Sequence, residues 1–361
     1  MLHALRLGET GLGRTWPNPS VGCVIVKDGR IIGAARSGDG GRPHAETLAL
    51  AQAGADAAGA TAYVTLEPCA HHGKTPPCID ALIAANISNV VIATIDPDPR
   101  VASAGIRALK KAGIAVTLGV CEAEAILQHR GFFKRLKHRA PHVTLKLASS
   151  MDGFITHPNH TDRWVTNATS RAAVHRMRAQ HDAILTGIGT VLADDPMLNC
   201  RLPGLEDASP VRVVLDTQLR TPLESQLVAT AALYATWIIT TATGVELAAS
   251  HATDLRERGV KLLVADSAAR VSIKEALPLL AEEGITRLMI EAGPQLASAF
   301  LEAECVDTLY WFRSDKLFGG GVSALSGDAE HAAIKSPRLV HRKRVAYGTD
   351  QLDVYDTLAQ H

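Results

Sequence analysis

The chain has 361 residues, zero formal net charge, 47% hydrophobic residues and 4% aromatics. That length suggests about two domains of roughly 100–200 residues each, with apolar content enough for large cores and too high for disorder. A neutral, ring-poor chain lacks the basic field and stacking surface of a nucleic-acid binder, and no stretch approaches the roughly 18 apolar residues of a membrane span. Six cysteines (Cys23, Cys69, Cys78, Cys121, Cys200, Cys305) are scattered along the chain. Met1-Leu2-His3-Ala4-Leu5-Arg6 opens no sustained apolar run, so no secretory leader is expected. The expected compartment is a reducing cytoplasm, where clustered cysteines are more often metal ligands or catalytic groups than disulfides.

In chain order, residues 2–13 read as a short helix ending at Gly11-Leu12-Gly13. Trp16-Pro17-Asn18-Pro19 is a stiff loop, because each proline biases its predecessor away from the helical region. Val21–Val26 and Arg30–Ala35 flank the turn Lys27-Asp28-Gly29 and predict a hairpin. His44–Ala53 is a helix with Pro43 at its start and Gly54 at its end. Thr61–Leu66 is a strand, Ile79, Leu82 and Ile83 mark a helical face, and Val90–Ile95 is a strand buried on both faces. A helix over Ile106–Ala112 and a strand over Ile114–Leu118 follow. The alternation predicts an α/β layered domain. Residues 130–142 are basic and end at Ala140-Pro141, which reads as a solvated helix face leading into a linker.

The second half restarts with a strand at Val143–Ala148 and a turn at Asp152-Gly153. A helix covers Ala172–Gln180. Ala183–Thr186 is a strand leading into Gly187-Ile188-Gly189-Thr190. Further strands fall at Val211–Leu215, Trp237–Thr240, Val260–Val264, Thr286–Ile290 and Val306–Phe312. Glu291-Ala292-Gly293-Pro294 opens a helix over Leu296–Leu301. This half is α/β as well, and residues 326–361 carry no readable motif.

Two pieces carry chemistry. Pro43-His44-Ala45-Glu46 offers an imidazole and, two residues on, a carboxylate. Pro68-Cys69 and Pro77-Cys78 offer two thiols separated by eight residues. One imidazole and two thiolates can hold a zinc ion and leave its fourth position for water, the pattern of catalytic rather than structural sites. Glu46 is then the expected proton shuttle. Zinc nucleobase deaminases carry H-x-E followed by P-C-x-x-C, so this longer thiol spacing departs from that pattern. Taken singly, the tripeptide is cheap and the cysteines could be buried thiols. Both in order, each after a proline break, favour a hydrolytic deaminase. His71 and His72 are rival ligands, ranked below His44. Gly187-Ile188-Gly189 alone is a weak dinucleotide signal, lacking the third glycine, and a tight turn explains it locally.

Pro17-Asn18-Pro19-Ser20-Val21-Gly22, Pro43-His44-Ala45-Glu46 and Leu66-Glu67-Pro68-Cys69-Ala70-His71-His72-Gly73-Lys74-Thr75-Pro76-Pro77-Cys78 resemble the bifunctional riboflavin-biosynthesis deaminase/reductase family. Lys146–Gly153, Arg163–Thr166, Met177-Arg178-Ala179, Gly187–Thr190, Asp194–Leu198 with Arg201, Val213–Asp216 and Glu291–Pro294 resemble its reductase half. The resemblance covers roughly residues 1–325. It implies a three-layer cytidine-deaminase-like domain over residues 1–140 and a dihydrofolate-reductase-like α/β domain over 141–361. In the first, it implies that His44, Cys69 and Cys78 hold zinc, that Glu46 moves protons, and that Asn18, Lys74 and Asp96 contact substrate. In the second, it implies that Ala148, Trp164, Thr190, Asp194 and the loop from Gly293 line NADPH, while Asp162, Arg178, Leu198, Arg201 and Glu291 face the substrate. Ser37, Asp98, Ser103 and Asp162 stand where the family commonly has histidine, asparagine, glycine and serine.

The implied activity is loss of the 2-amino group of 2,5-diamino-6-(5-phosphoribosylamino)pyrimidin-4(3H)-one as ammonia, then NADPH reduction of the ribosyl group to ribityl. Two arginines could clamp the ribose phosphate, a helix start after Gly293 could receive a cofactor phosphate, and Lys146 or Glu291 could supply the proton. The expected protein is a cytoplasmic homo-oligomer acting on a small molecule, without membrane or nucleic acid. Two rivals remain: a deaminase whose second half only binds ligand or builds the oligomer, and a zinc-stabilised nucleic-acid module.

Overall fold

The computed structural model describes residues 1–70, 76–98, 103–157, 164–267, 269–326 and 338–358. It divides into two compact units, Met1–Ala140 and Pro141–His361.

The first unit runs α1 (Leu2–Glu9), β1 (Gly22–Lys27), β2 (Arg30–Arg36), α2 (Ala45–Ala53), β3 (Thr61–Val64), α3 (Cys78–Ala84), β4 (Asn89–Ile92), α4 (Ala104–Lys111), β5 (Ala115–Leu118) and α5 (Glu122–His138). Its sheet has the order β2-β1-β3-β4-β5. The hairpin is antiparallel, β1 also pairs antiparallel with β3, and β3, β4 and β5 are parallel. Apolar residues at alternate positions of β1 serve two faces. Cys23 and Ile25 join Ala45, Ala49, Leu82 and Leu109 in the main core, on the side of α2, α3 and α4. On the other side α1 packs so closely that a Cβ on Gly22 would lie 1.8 Å from the Ala4 carbonyl oxygen. The result is three layers, and it places the ends of β3 and β4 beside the start of α2.

The first helix stops at Glu9 rather than Gly13, and the strands begun at Thr61 and Val90 stop short of their predicted ends. In each case the chain leaves regular structure where it starts to build a loop with other partners. The basic run belongs to α5, a 17-residue helix that already begins at Glu122.

The second unit runs β6 (His142–Ser149), β7 (Phe154–Thr156), α6 (Ala168–Ala179), β8 (Ala183–Gly187), α7 (Ile188–Asp194), β9 (Val211–Leu215), α8 (Gln226–Ala229), β10 (Thr236–Thr241), α9 (Ala242–Leu247), α10 (Ala249–Glu257), β11 (Lys261–Ala265), α11 (Ile273–Glu282), β12 (Arg287–Ile290), α12 (Pro294–Glu302), β13 (Thr308–Arg313), β14 (Val322–Ser323), β15 (Leu339–Tyr347) and β16 (Asp350–Thr357). Its main sheet is ordered β11-β10-β9-β8-β12-β6-β13-β16-β15, and β7 pairs with β14. The first seven of those strands are mutually parallel, and the β15–β16 hairpin closes one edge antiparallel. That hairpin has no counterpart in the sequence reading. It is tied to α6 through Asn167, which accepts from the Ser170 N–H at 2.9 Å and donates to the Tyr347 carbonyl at 2.7 Å. Asp350 accepts from the Ser170 hydroxyl at 2.6 Å.

Two buried charges stitch strand starts together. The Asp182 carboxylate before β8 accepts from the N–H and hydroxyl of Thr286 and the N–H of Arg287, all within 2.9 Å. Arg212, fully buried in β9, donates to the carbonyls of Met197, Leu227 and Tyr234 and to the hydroxyls of Thr230 and Thr236. Replacing Arg212 with Met would take the guanidinium from the Met197 carbonyl and leave the Leu227 and Tyr234 carbonyls only the Thr236 hydroxyl to share, at about 1–3 kcal/mol for each group left unsatisfied. Arg212→Met is therefore expected to lower the stability of the second unit by about 3 kcal/mol or more, read as a drop in its urea midpoint; a change within about 0.5 kcal/mol would contradict this account.

Candidate functional site

In the first unit the cluster forms where three segments meet. His44 is the residue before the first turn of α2, with extended backbone, so its ring projects from the helix start. Pro43 therefore precedes the helix rather than entering it. Cys69 follows β3 in a loop, and Cys78 is the first residue of α3. The His44 Nδ1 lies 3.0 Å from the Cys78 Sγ and 3.5 Å from the Cys69 Sγ. One ligand atom from each of the three residues falls within 4.8 Å of the others. Imidazole nitrogen and two sulfurs in that compass are the donor set of a tetrahedral zinc site with one position left over. Cys23, buried under Glu46, is pushed well up by burial and then by the Glu46 charge, and stays a neutral core thiol. His71 and His72 lie outside the described residues, as does Lys74.

The electrostatics suit a dication. The Cys69 thiol is held down to about 4, first by the hydrogen bond from Cys78, which outweighs burial, and then by His44. Cys78 is pushed up, first by donating to Cys69 and then by burial. The pair thus holds one proton between two sulfurs, and a cation that displaced it would gain a second thiolate. Glu46 is 3% exposed and burial raises it to about 7.

A residue quoted only as part of a motif positions the Cys69 loop. Glu67 is buried, and its carboxylate accepts from the N–H groups of Ser103 at 3.0 Å, Gly105 at 3.1 Å and Ile106 at 3.4 Å. It caps α4 from outside the helix, where a negative charge meets the unpaired first N–H groups. This contact presses α4 onto the loop: a Cβ on Gly105 would sit 2.3 Å from the Pro68 carbonyl oxygen. The readable signal was an acidic residue beside the Pro-Cys pair and a helix start with no side-chain cap of its own.

Of the expected substrate residues, Asn18 donates to the Gly40 carbonyl at 3.1 Å in the loop approaching His44. Asp96 is buried beyond the end of β4 and accepts from the Asp98 N–H at 2.9 Å. Ser37 is buried, and its hydroxyl accepts from the Val21 N–H at 3.1 Å, so it serves the fold.

In the second unit Arg178 on α6 and Glu291 beyond β12 form a two-pronged pair at 2.7 and 2.9 Å. Arg178 also donates to the Asn199 carbonyl at 3.0 Å. Burial works against ionising Glu291, but Arg178, with Lys146 and His175, holds it down to about 2. Lys146 on β6 is lowered by burial, with Glu291 opposing. His175 is lowered to about 4, by burial and then by Arg178 and Arg201, and accepts the Arg201 N–H at 3.2 Å. The sequence reading missed His175 and Asn199, which carry no local motif. It also expected two arginines to clamp a phosphate. Arg178 already has its fork filled, whereas Arg201 is exposed and bonds the Asn199 side chain. Leu198 is buried in the core at a left-handed φ of 51°, so only its main chain is placed to face a ligand. Asp162 lies outside the described residues.

A cavity of about 960 Å³ opens beside this cluster, between the starts of α7 and α12. Thr190, Asp194 and Gly293 line it; Ala148 and Trp164 do not. A Cβ on Gly189 would meet nothing within 4 Å, and one on Gly293 would meet only the Thr190 hydroxyl at 3.8 Å, so both glycines leave room against the backbone. Gly293 precedes α12 without a side-chain cap, and its helix start is open to a ligand phosphate. Size, open helix start and bare backbone fit a dinucleotide.

Comparison with known proteins agrees with both halves. The cytidine and deoxycytidylate deaminase zinc-binding region matches residues 1–94, and the RibD C-terminal domain matches residues 141–351. The riboflavin biosynthesis protein RibD of Aquifex aeolicus is 40% identical over 345 residues, 96% of this chain and 94% of that protein. Its Escherichia coli counterpart is 40% identical, over 90% of this chain and 89% of that one. The solved structure of Acinetobacter baumannii RibD, form 1, superposes with a TM-score of 0.86 at 37% identity, covering 99% of this chain and 97% of that one. The diaminohydroxyphosphoribosylaminopyrimidine deaminase/5-amino-6-(5-phosphoribosylamino)uracil reductase of Thermotoga maritima gives 0.84 at 33% identity, with the same coverage. The expected fold classes hold: a cytidine-deaminase-like unit and a dihydrofolate-reductase-like unit.

Because Glu67 and α4 set the Cys69 loop, Gly105→Ala is expected to weaken zinc binding by about 10- to 100-fold, the usual effect of disturbing a ligand's support. Competition with a chelating dye measures it, and unchanged affinity would show that α4 does not position the loop.

Proposed function

The chain belongs to the RibD family of riboflavin-biosynthesis deaminase/reductases, and we propose that its residues divide the two reactions as follows. The enzyme is bifunctional, using zinc to deaminate 2,5-diamino-6-(5-phosphoribosylamino)pyrimidin-4(3H)-one and NADPH to reduce the ribosyl side chain to ribityl. A second half that only binds ligand, and a non-enzymatic nucleic-acid module, are both set aside by those relatives.

We assign residues 1–140 to deamination. His44, through Nδ1, with Cys69 and Cys78, holds the zinc; this convergence of nitrogen and two sulfurs is the observation that carries the assignment. Zinc there supplies Lewis acidity that makes water a nucleophile near neutral pH. Glu46 is buried, close enough to Cys78 to hydrogen-bond it, and is the group that takes the water's proton. It returns that proton to the pyrimidine ring nitrogen, and a second transfer lets the 2-amino group leave as ammonia. Asn18, Asp96 and Lys74 are assigned to substrate.

Residues 141–361 are assigned to reduction. When bound, NADPH would supply the hydride for C1′ of the ring-opened ribosylamine. Thr190, Asp194 and Gly293, which line the cavity, would hold the cofactor; Ala148 and Trp164 are assigned to it on the family resemblance alone. Arg201 is the cation that meets the ribose phosphate. Arg178, Glu291 and the main chain at Leu198 fix the substrate's orientation, joined by Asp162. Between Lys146 and Glu291, the electrostatics favour Lys146 as the proton donor. Glu291 stays a carboxylate at any working pH, since Arg178 holds it near 2. Lys146, destabilised as an ammonium by burial, is the group ready to release a proton.

We place the enzyme in the cytoplasm, supported by six free cysteines and by the absence, among the described residues, of a helix long and apolar enough to cross a membrane. We also propose a homo-oligomer without a nucleic-acid partner, the latter supported by zero net charge.

Glu46→Gln is expected to keep one zinc per chain while ammonia release falls about 10²–10⁴-fold; retained activity would overturn the shuttle assignment. Lys146→Met is expected to cut NADPH oxidation by about 10²-fold or more with deamination intact. Only the protonated amine donates, so reduction should be lost as pH rises through the Lys146 pKa. Because burial lowers that pKa, the loss should come below lysine's ordinary value and move upward in Lys146→Arg. A pH profile of NADPH oxidation reads it, and an unmoved alkaline limb would transfer the role elsewhere.

A further inference from the structure

The assignments above leave open why the cofactor is NADPH rather than NADH. The carboxyl ends of the parallel strands run in the order β6, β12, β8, β9, β10, β11 along one edge of the sheet. Lys146 and Glu291 lie at the β6/β12 end, and the uncapped start of α12 follows β12. A dinucleotide with its pyrophosphate at that helix start has its adenosine half directed toward β9 and beyond, where neighbouring strands step about 4.8 Å each.

Two cations wait there. Arg220 and Arg270 both line the cavity and both are exposed. Neither makes an ion pair or hydrogen bond among the described residues, whereas the other guanidiniums near the cluster, Arg178 and Arg201, are engaged. Asp194 is the only carboxylate in the lining.

The loops that carry the two arginines are fixed. Asp216 closes the first by accepting from the N–H of Thr221 at 2.7 Å and its hydroxyl at 2.8 Å. Leu219 turns the chain at a left-handed φ of 51° just before Arg220. The Thr217 hydroxyl accepts from the Val271 N–H at 3.3 Å, which joins the Arg270 loop to the first one although β11 is two strands away. The nearby start of α11 is no rival anion site, because Ser272 and Glu275 already cap it as a reciprocal box.

We propose that Arg220 and Arg270 form the site that reads the 2′-phosphate of NADPH and so select it over NADH. The proposal rests on the reductase reading above. Guanidinium forks match a phosphate monoester's oxygens in two-pronged geometry, and an unpaired cation gains most from meeting one. A ribose 2′-hydroxyl offers no comparable charge, so the two arginines add little to NADH.

The test uses the full-length protein and titration calorimetry, without turnover. Arg220→Ala and Arg270→Ala are each expected to raise the Kd for NADPH about 10- to 100-fold, the range for a charge-assisted hydrogen bond. The Kd for NADH should change less than about 2-fold. Adenosine 2′,5′-bisphosphate should lose affinity in parallel with NADPH, and 5′-AMP should not. Arg220→Lys and Arg270→Lys should recover part of the loss. Ammonia release, which uses the other unit, should be unchanged, and the retained Kd for NADH reports that the second unit of each variant is folded. Equal weakening of NADPH and NADH, or no weakening of either, would overturn the proposal. Wild-type protein that fails to prefer NADPH would instead overturn the cofactor reading beneath it.

Discussion

A charged side chain taken out of water must be given donors or a counter-charge, or must change its protonation state. In this protein that constraint separates the groups that hold the structure from those that react. Glu67 receives three backbone N–H groups at the start of α4. Asp182 receives two N–H groups and a hydroxyl where β8 and β12 begin. Arg212 spends its donors on the chain between Met197 and Thr236. Each is held by groups of its own unit, and Glu67 and Arg212 thereby tie down segments next to Cys69 and Leu198. Glu46 differs. It is as buried as Glu67, but its side-chain partner is the Cys78 thiol, a group that changes protonation with it. Burial outweighs its backbone hydrogen bond, the His44 charge and the Cys78 thiol together, so proton exchange stays within reach, as a shuttle requires.

The second unit separates two groups of one cluster by the same means. Glu291 and Lys146 influence each other, yet they are pushed apart in function by what surrounds them. Arg178 pins the carboxylate ionised through two parallel bonds. Against burial the ammonium has the Glu291 charge, which does not outweigh it. Pairs of titratable groups driven apart by environment are where acid and base roles divide. The Arg178 fork is filled by Glu291, and that is why the proposal gives the ribose phosphate to Arg201.

Sequence periodicity and local motif made much of this legible. The hairpin β1–β2, the helix starting at His44, and the parallel strands from β8 to β13 follow from alternation, turn residues and apolar runs. The cluster of His44, Cys69 and Cys78 was readable because each follows a proline break, a local mark on a residue with metal-binding chemistry. Residues whose meaning comes from distant partners were not readable. Glu67 acquires its role from α4, about 36 positions on. His175 and Asn199 matter only through Arg178, Arg201 and Glu291. The β15–β16 hairpin was missed because β15 is exposed along most of its length and bears a run of His341, Arg342, Lys343 and Arg344. Such a strand shows no apolar alternation; charged side chains are how an outer strand avoids unwanted pairing.

The departures from the family pattern become intelligible on the same terms. Ser103 stands where a glycine is common, and its backbone is indeed left-handed, with φ of 60°. A serine there carries strain on the order of 1 kcal/mol that glycine would not. Its N–H is one of the three that Glu67 holds, at 3.0 Å. The buried carboxylate thus gains a donor only if residue 103 adopts that conformation, and a charge-assisted bond of about 1.5–3 kcal/mol exceeds the strain. Glu67 therefore does two things at once: it keeps a non-glycine residue in a glycine conformation, and through α4 it sets the loop that presents Cys69. The tolerance for serine at 103 and the placement of a metal ligand are consequences of the same buried charge.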